Sequence, residues 1–303
     1  MSSAEAAIVA RDISKSYGRT RAVDGLDFRV ERGEVFALLG PNGSGKTTTI
    51  RMILDILRPD SGSIAVLGQA AGASIARRIG YLPEERGLYR NAPVLEVMAY
   101  LGQLKGMDAR AARSRSLALL ERLDLDAHAG SKVRELSKGM QQKVQFAVTV
   151  LHEPELIIVD EPFSGLDPVN TQVLETLLRE MRARGVAIVM STHQMHQVEA
   201  MADRLLMISE GRQKLYGPVA DIRRQFASHA LLVEGGGDWS RLAGVRAVEA
   251  GDRPGEALLQ LEPESSPDSV LAAIAAAGDM HIRRFELATP GLSEIFIRVV
   301  EGE

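Results

Sequence analysis

Apolar positions along the chain fall into two patterns. Consecutive apolar residues in "EVFALLG" (34–40), "ELIIVDEP" (155–162) and "VAIVMSTH" (186–193) predict strands covered on both faces. "TTTIRMILDIL" (47–57) and "PVNTQVLETLLREMRARG" (168–185) have helical spacing, the first ending before Arg58-Pro59 and the second closed by Gly185. "SIAVLG" (63–68) reads as a further strand, "RRIGYLPEERGLY" (77–89) as a strand running into a loop, and "RLLMISEGRQKLYG" (204–217) as a hairpin. Residues 94–151 are mostly helical, with breaks expected at Gly102, Gly106 and Gly130. In the last of these helices Val144, Ala147, Val148 and Leu151 are spaced to pack inward. Alternating strands and helices of this kind predict a largely parallel sheet with helices on both sides.

The character changes near residue 221. "EGGGDWS", "GDRPGE" and "EPESSPDS" are turn-like, and between them lie short strands (230–234, 245–250, 256–261, 282–287) and helices (266–277, 291–300). The expected division is therefore a domain over 1–220, with a helical part about 92–152, and a small α+β domain over 221–303.

Composition narrows the function only slightly. The chain has 303 residues, 45% hydrophobic and 25% charged, as an ordinary globular protein does. Its net charge of −4 supplies no basic field for DNA or RNA, so no nucleic-acid partner is expected. Cysteine is absent, which excludes disulfides and thiolate metal sites and suits a reducing compartment. "MSSAEAAIVARD" has no basic and apolar leader pattern, and no run approaches 18 apolar residues, so neither a signal peptide nor a membrane span is expected.

Chemistry enters with "GPNGSGKT" at 40–47, which fits G-x-x-x-x-G-K-[ST] between a buried strand and a helix. Gly40, Gly43 and Gly45 let backbone N–H groups curl around phosphate, and the helix start adds partial positive charge. Lys46 is expected to reach the β- and γ-phosphates and Thr47 to bind Mg²⁺. Beside such a loop, Asp160 would orient the Mg²⁺ water shell, and Glu161 would polarise the water that attacks the γ-phosphate. His193 ends the third buried strand, where open α/β sheets present ligand-binding residues, and is placed to contact the γ-phosphate or hold that water. No N-K-x-D guanine reader occurs at Asn42, Asn91 or Asn170, which favours ATP over GTP.

Five motifs in order make residues 8 to about 217 resemble the nucleotide-binding cassette of ABC (ATP-binding cassette) transporters. They are "GPNGSGKTT" (Walker A), "YLPEE" (Q-loop region), "ELSKGMQQ" (signature), "LIIVDEPFSGLD" (Walker B and D-loop) and "STH" (switch histidine). The resemblance implies a P-loop NTPase fold: a RecA-like parallel core, an N-terminal antiparallel β subdomain and a helical subdomain. It implies nucleotide contacts from Gly40, Pro41, Asn42, Gly43, Ser44, Gly45, Lys46, Thr47 and Thr48, with Tyr17 stacking on adenine. It implies catalysis by Glu161 and His193, metal contacts from Thr47, Glu84 and Asp160, and a D-loop of Ser164, Gly165, Leu166 and Asp167. Signature residues Ser137, Lys138, Gly139, Met140 and Gln141 would serve a nucleotide held by a second copy of the chain. Two positions depart from the family pattern. Glu84 stands where glutamine is usual, and L-S-G-G-Q is here Leu136-Ser137-Lys138-Gly139-Met140. A carboxylate is a hard oxygen ligand and still suits Mg²⁺. The tail, with "TPGLSEIFIRVV", resembles the extra domain of ATPases from exporter-type systems, sodium and drug efflux among them. The expectation is an ATPase subunit of an exporter, homodimeric and peripheral on the cytoplasmic membrane face, paired with a separately encoded transmembrane permease. The alternative is a soluble ABC-type ATPase not coupled to transport.

Overall fold

The computed structural model describes residues 6–70, 72, 75–85, 87–227, 229–251 and 253–301. Two compact units divide the chain, Met1–Val219 and Ala220–Glu303.

The first unit opens with β1 (Ile8–Tyr17), β2 (Thr20–Val30) and β3 (Val35–Leu39), then α1 (Lys46–Ile53), β4 (Ser61–Val66), β5 (Gln69–Ala70) and β6 (Ile79–Leu82). Three helices follow, α2 (Val94–Leu104), α3 (Ala109–Arg122) and α4 (Lys138–Val150). The unit continues through β7 (Leu156–Asp160), α5 (Pro168–Ala183), β8 (Ala187–Thr192), α6 (Met195–Met201), β9 (Arg204–Ser209) and β10 (Arg212–Pro218). Strands β2-β1-β4-β5 form an antiparallel sheet, and β10-β9-β3-β8-β7-β6 form a second sheet. The second sheet is parallel except for β10, which pairs antiparallel with β9.

The runs read as doubly covered strands are covered on both faces. On one face Val35, Ile157, Val159, Ile188 and Met190 join a core with Phe146 of α4 and Leu174 and Leu178 of α5. On the other, Phe36, Leu38, Ile158, Val189 and Leu206 pack with Ile13 and Leu26 of the antiparallel sheet and Ile50 of α1. That second cover is mostly a sheet, where the alternation predicts helices on both sides.

Local chemistry fixes the helix ends. Asp167 caps α5 by accepting from Asn170 N at 2.9 Å, and Pro168 occupies the first helical turn. Gly185 stops the segment with φ +86. Helix α1 ends at Ile53, four residues short of the expected Leu57, because Asp55 takes the left-handed conformation (φ +56). Gly102 does not break the helical part but lies inside α2, where an added Cβ would sit 2.8 Å from Leu151 Cδ2. The glycine serves close packing of α2 on the end of α4.

Helix α7 (Val219–Gln225) starts at the division of the chain. The second unit holds β11 (Ala230–Gly236), β12 (Val245–Ala250), β13 (Glu256–Leu261), α8 (Pro267–Ala277), β14 (His281–Leu287) and α9 (Leu292–Glu301). Its antiparallel sheet runs β12-β13-β11-β14. Alternating residues Leu231, Val233, Ala257, Leu259 and Leu261 turn one face to Val270 and Ile274 of α8. Ser266 and Ser269 form a capping box at the start of α8, and Gly278 (φ +67) ends it.

Candidate functional site

The loop between β3 and α1 wraps the start of the helix. Gly45 caps α1 at φ +112, and a Cβ there would lie against the Ala22 carbonyl oxygen. Both conditions require glycine. Lys46 is buried, and its Nζ donates to Gly40 O at 2.7 Å and Pro41 O at 3.1 Å, so the side chain curls back under the loop. Burial pulls its ammonium below the usual lysine range, while the carboxylates of Glu161, Asp160 and Glu84 oppose that shift. Ser44 Oγ is buried with no hydrogen-bond partner, an open polar valence in the loop itself.

Strand β7 delivers Asp160 and Glu161 to the same place. Both are buried, and Glu161 sits in the left-handed region at φ +47. For a residue other than glycine this is a strained conformation, held here because Glu161 N donates to Ser191 O at 3.0 Å. Burial raises the Asp160 carboxyl above its ordinary value, and the Ser191 hydroxyl, which donates to Asp160 Oδ1, opposes that. Glu161 Oε1 lies 2.7 Å from His193 Nδ1, and Thr192 Oγ1 approaches Oε2 at 3.4 Å. Thr192 Oγ1 in turn donates to Gln197 Oε1 at 3.2 Å, and Gln197 Nε2 donates to Gln194 Oε1 at 2.8 Å. A chain of polar groups after β8 therefore fixes the carboxylate and the imidazole relative to each other.

These groups converge. A cavity of about 200 Å³ is lined by Ala22, Asn42, Gly43, Gly45, Lys46, Thr47, Thr48, Glu84, Asp160, Glu161, Ser164 and His193. A larger cavity of about 570 Å³ lies between α3, α4 and α5, with Arg32, Arg115, Arg122 and Arg184 at its edge and none of the motif residues. Size does not mark the site; convergent chemistry does.

The remaining motif residues lie outside the 200 Å³ cavity. Tyr17 ends β1 with about half its surface exposed. Ser137 caps α4, accepting from Met140 N at 3.2 Å, which leaves its own O–H free to donate. Lys138 is exposed, Met140 packs against the helical core, and Gln141 Nε2 donates to Leu136 O at 2.9 Å. A Cβ on Gly139 would sit 2.8 Å from Asn170 Nδ2, the group that donates to Asp167 Oδ2, so the start of α4 abuts the start of α5. In the D-loop Gly165 is left-handed (φ +71), Leu166 packs on the core, and Asp167 is spent on the α5 cap.

Several participants escape the sequence reading. Ala22 reaches the cavity from β2, and Ser191 and Thr192 are seen there only as neighbours of His193. Gln142 and Gln145 of α4 are both buried. Gln142 Nε2 donates to Pro162 O at 3.2 Å, and Gln145 Nε2 approaches Pro83 O at 3.4 Å and Glu85 O at 3.2 Å. The available signal is two amides, three apart, followed by Thr149 one turn later on the same buried face.

A glycine-rich turn from a buried parallel strand to a helix, with a lysine beneath it and paired carboxylates at the end of β7, one strand removed across β8, defines a P-loop nucleotide-binding protein. Known proteins narrow this. Residues 23–164 match the ABC transporter family model, and residues 217–300 match the C-terminal domain of DrrA1-3-like ATP-binding proteins. The chain is 40% identical over 289 residues to the ABC transporter ATP-binding protein YhaQ of Bacillus subtilis (strain 168), covering 95% of this chain and 96% of the relative. It is 40% identical over 235 residues to Nod factor export ATP-binding protein I of Paraburkholderia xenovorans (strain LB400), covering 76% and 77% of the two chains. Among solved structures, the ATP-binding subunit of an ABC transporter superposes with TM-score 0.68 at 35% identity, over 72% of this chain and 92% of that one. The chain belongs to the ATP-binding proteins of ABC transporters.

Proposed function

We propose that the chain hydrolyses ATP to drive export, as one of two copies docked on a separately encoded transmembrane permease at the cytoplasmic membrane face. The observation that carries this is the convergence of Lys46, Thr47, Glu84, Asp160, Glu161 and His193 on one cavity at the start of α1. The nucleotide phosphates sit against the backbone N–H groups of the loop, with Lys46 turning from the carbonyls of Gly40 and Pro41 toward them. Glu161 accepts a proton from the attacking water, and His193, 2.7 Å from it, holds the carboxylate and the water in line.

Thr47, Asp160 and Glu84 present only oxygen donors to the cavity, the donor set that Mg²⁺ prefers. Among the described residues no group of three or more His, Asp or Glu is placed to hold a metal ion. These residues would hold part of the shell of an ion that reaches the site on the phosphates, and the ion would neutralise charge there.

Export is favoured by the name of the Nod factor relative. Among the described residues no helix is long and apolar enough to cross a membrane, and on this reading the permease supplies the path. The segment from Glu84 to Gly106 is the proposed coupling surface. It carries an exposed aromatic pair, Tyr89 and Tyr100, with ring centroids 5.9 Å apart, beside exposed Leu104.

The test is phosphate release from ATP by the purified chain, alone and with Lys46→Ala. Turnover by the parent and loss of both turnover and fluorescent-nucleotide binding in the variant is the expected result. Unchanged nucleotide affinity in Lys46→Ala would place the site elsewhere.

A further inference from the structure

Glu84 lines the cavity from the loop after β6, yet it is exposed and lies outside any helix or strand. A carboxylate on such a loop acts at a fixed point only if the backbone beneath it is held. The hold comes from α4. Gln145 is 5% exposed, and its Nε2 faces the carbonyl oxygens of Pro83 and Glu85, the residues on either side of Glu84. Two acceptors require a donor, so the amide must present its NH₂ end, and its Oε1 is left without a partner. One turn earlier on the same helix, Gln142 Nε2 donates to Pro162 O, directly after Glu161. Helix α4 thus brackets the two loops that carry Glu84 and Glu161, and it is the helix whose first turn holds Ser137, Lys138 and Gly139.

We infer that Gln145 is the positioning residue for Glu84: it pins the backbone on both sides of that carboxylate and ties its place in the cavity to the position of α4. Gln145 touches no nucleotide. It acts through Glu84, and the inference rests on the assignment of Glu84 to the ATP site. Its donor spans two carbonyls, so the loop is fixed in both position and rotation. A shift of α4 moves the carboxylate.

A double-mutant cycle in the full-length chain tests this, with ATP turnover followed as a function of Mg²⁺ concentration. Gln145→Met keeps side-chain length and removes the donor. It is expected to lower turnover about 3- to 10-fold, the scale of one hydrogen-bonded contact, and to raise the Mg²⁺ concentration for half-maximal rate. In a Glu84→Ala background the same substitution should cost nothing further, because the group it positions is gone. Equal losses in both backgrounds, or wild-type turnover in Gln145→Met, would overturn the inference. If Gln145→Met does not fold, Gln145→Asn, a methylene too short to reach both carbonyls, is read by the same criteria. If Glu84→Ala itself turns over like wild type, the assignment of Glu84 falls and the inference falls with it. An impaired Glu84→Ala beside a normal Gln145→Met sinks the positioning role and leaves the assignment standing.

Discussion

Replacing Glu161 by glutamine isolates the chemical step. The side chain is 9% exposed and its amide has the same size, so packing is kept. Thr192 Oγ1, whose proton goes to Gln197 Oε1, stays beside one terminal atom at 3.4 Å, and His193 Nδ1 can still face the other by exchanging its tautomer. What is lost is a group that can take a proton from water. General-base catalysis contributes about 10²- to 10⁴-fold, equivalent to about 3–5 kcal/mol of barrier. Nucleotide affinity is expected to hold or rise. Glu161 heads the carboxylates acting on Lys46, and its neutralisation removes a negative charge from beside a polyanionic ligand. Steady-state phosphate release gives the first quantity, and a fluorescent-nucleotide titration gives the second. Turnover within about threefold of wild type would refute the assignment, since no general base is worth so little, and His193 would become the leading candidate.

Two further outcomes follow from the units of the fold. A chain ending at Val219 keeps the loop, both carboxylates, His193 and the whole first unit, and is expected to fold and bind ATP; circular dichroism with nucleotide titration checks it, and a folded truncation that binds nothing would show that the second unit completes the site. His152 is a pH-sensitive point of the first unit. Burial, and then the Lys105 charge, lowers its pKa to about 4, and its Nε2 lies 3.1 Å from Ile79 O. The unfolded chain takes up that proton near pH 6.5 and the folded chain does not until about pH 4, so stability is intact above 6.5 and falls as pH drops through this window. The ceiling is about 3 kcal/mol, less whatever solvent reaching the ring screens. His152→Leu should therefore lose less Tm than wild type between pH 7.5 and 5.0, and equal losses would mean that the imidazole is not the group responsible.

The strands were legible because β3, β7 and β8 are buried on both faces and so carry uninterrupted apolar runs. The loop at Gly40 to Lys46 was legible because backbone wrapping of phosphate leaves a fixed spacing of glycines. The apolar pattern carries α1 too far because Ile56 and Leu57 continue it past Asp55, whose left-handed backbone no period reveals; Ile56 is 65% exposed. Gly102 looked like a break because its packing partner, Leu151, is distant in sequence. Val148, whose spacing predicts an inward position, is only partly buried, while Gln142 and Gln145 are buried. The NH₂ groups of those amides face carbonyls of Pro162, Pro83 and Glu85, contacts between segments that no local pattern encodes. The same limit hid Ser191 and Thr192, whose partners are the carboxylates one strand away.

The most direct test concerns the signature segment, whose residues 137–141 lie outside the cavity that holds Lys46 and Glu161. If Ser137 and Gly139 serve a phosphate held by a second copy, each site needs two chains. Ser137→Arg leaves the loop intact, and Lys46→Ala leaves the signature intact; each is expected to be inactive by itself. Mixed in equal amounts, half the dimers pair one of each, and each such dimer rebuilds one of its two sites, so about a quarter of wild-type activity per chain should return. Phosphate release from the mixture is the measurement. A mixture no more active than the mean of its parts, or a Ser137→Arg chain that hydrolyses ATP normally by itself, would contradict a site built across two copies.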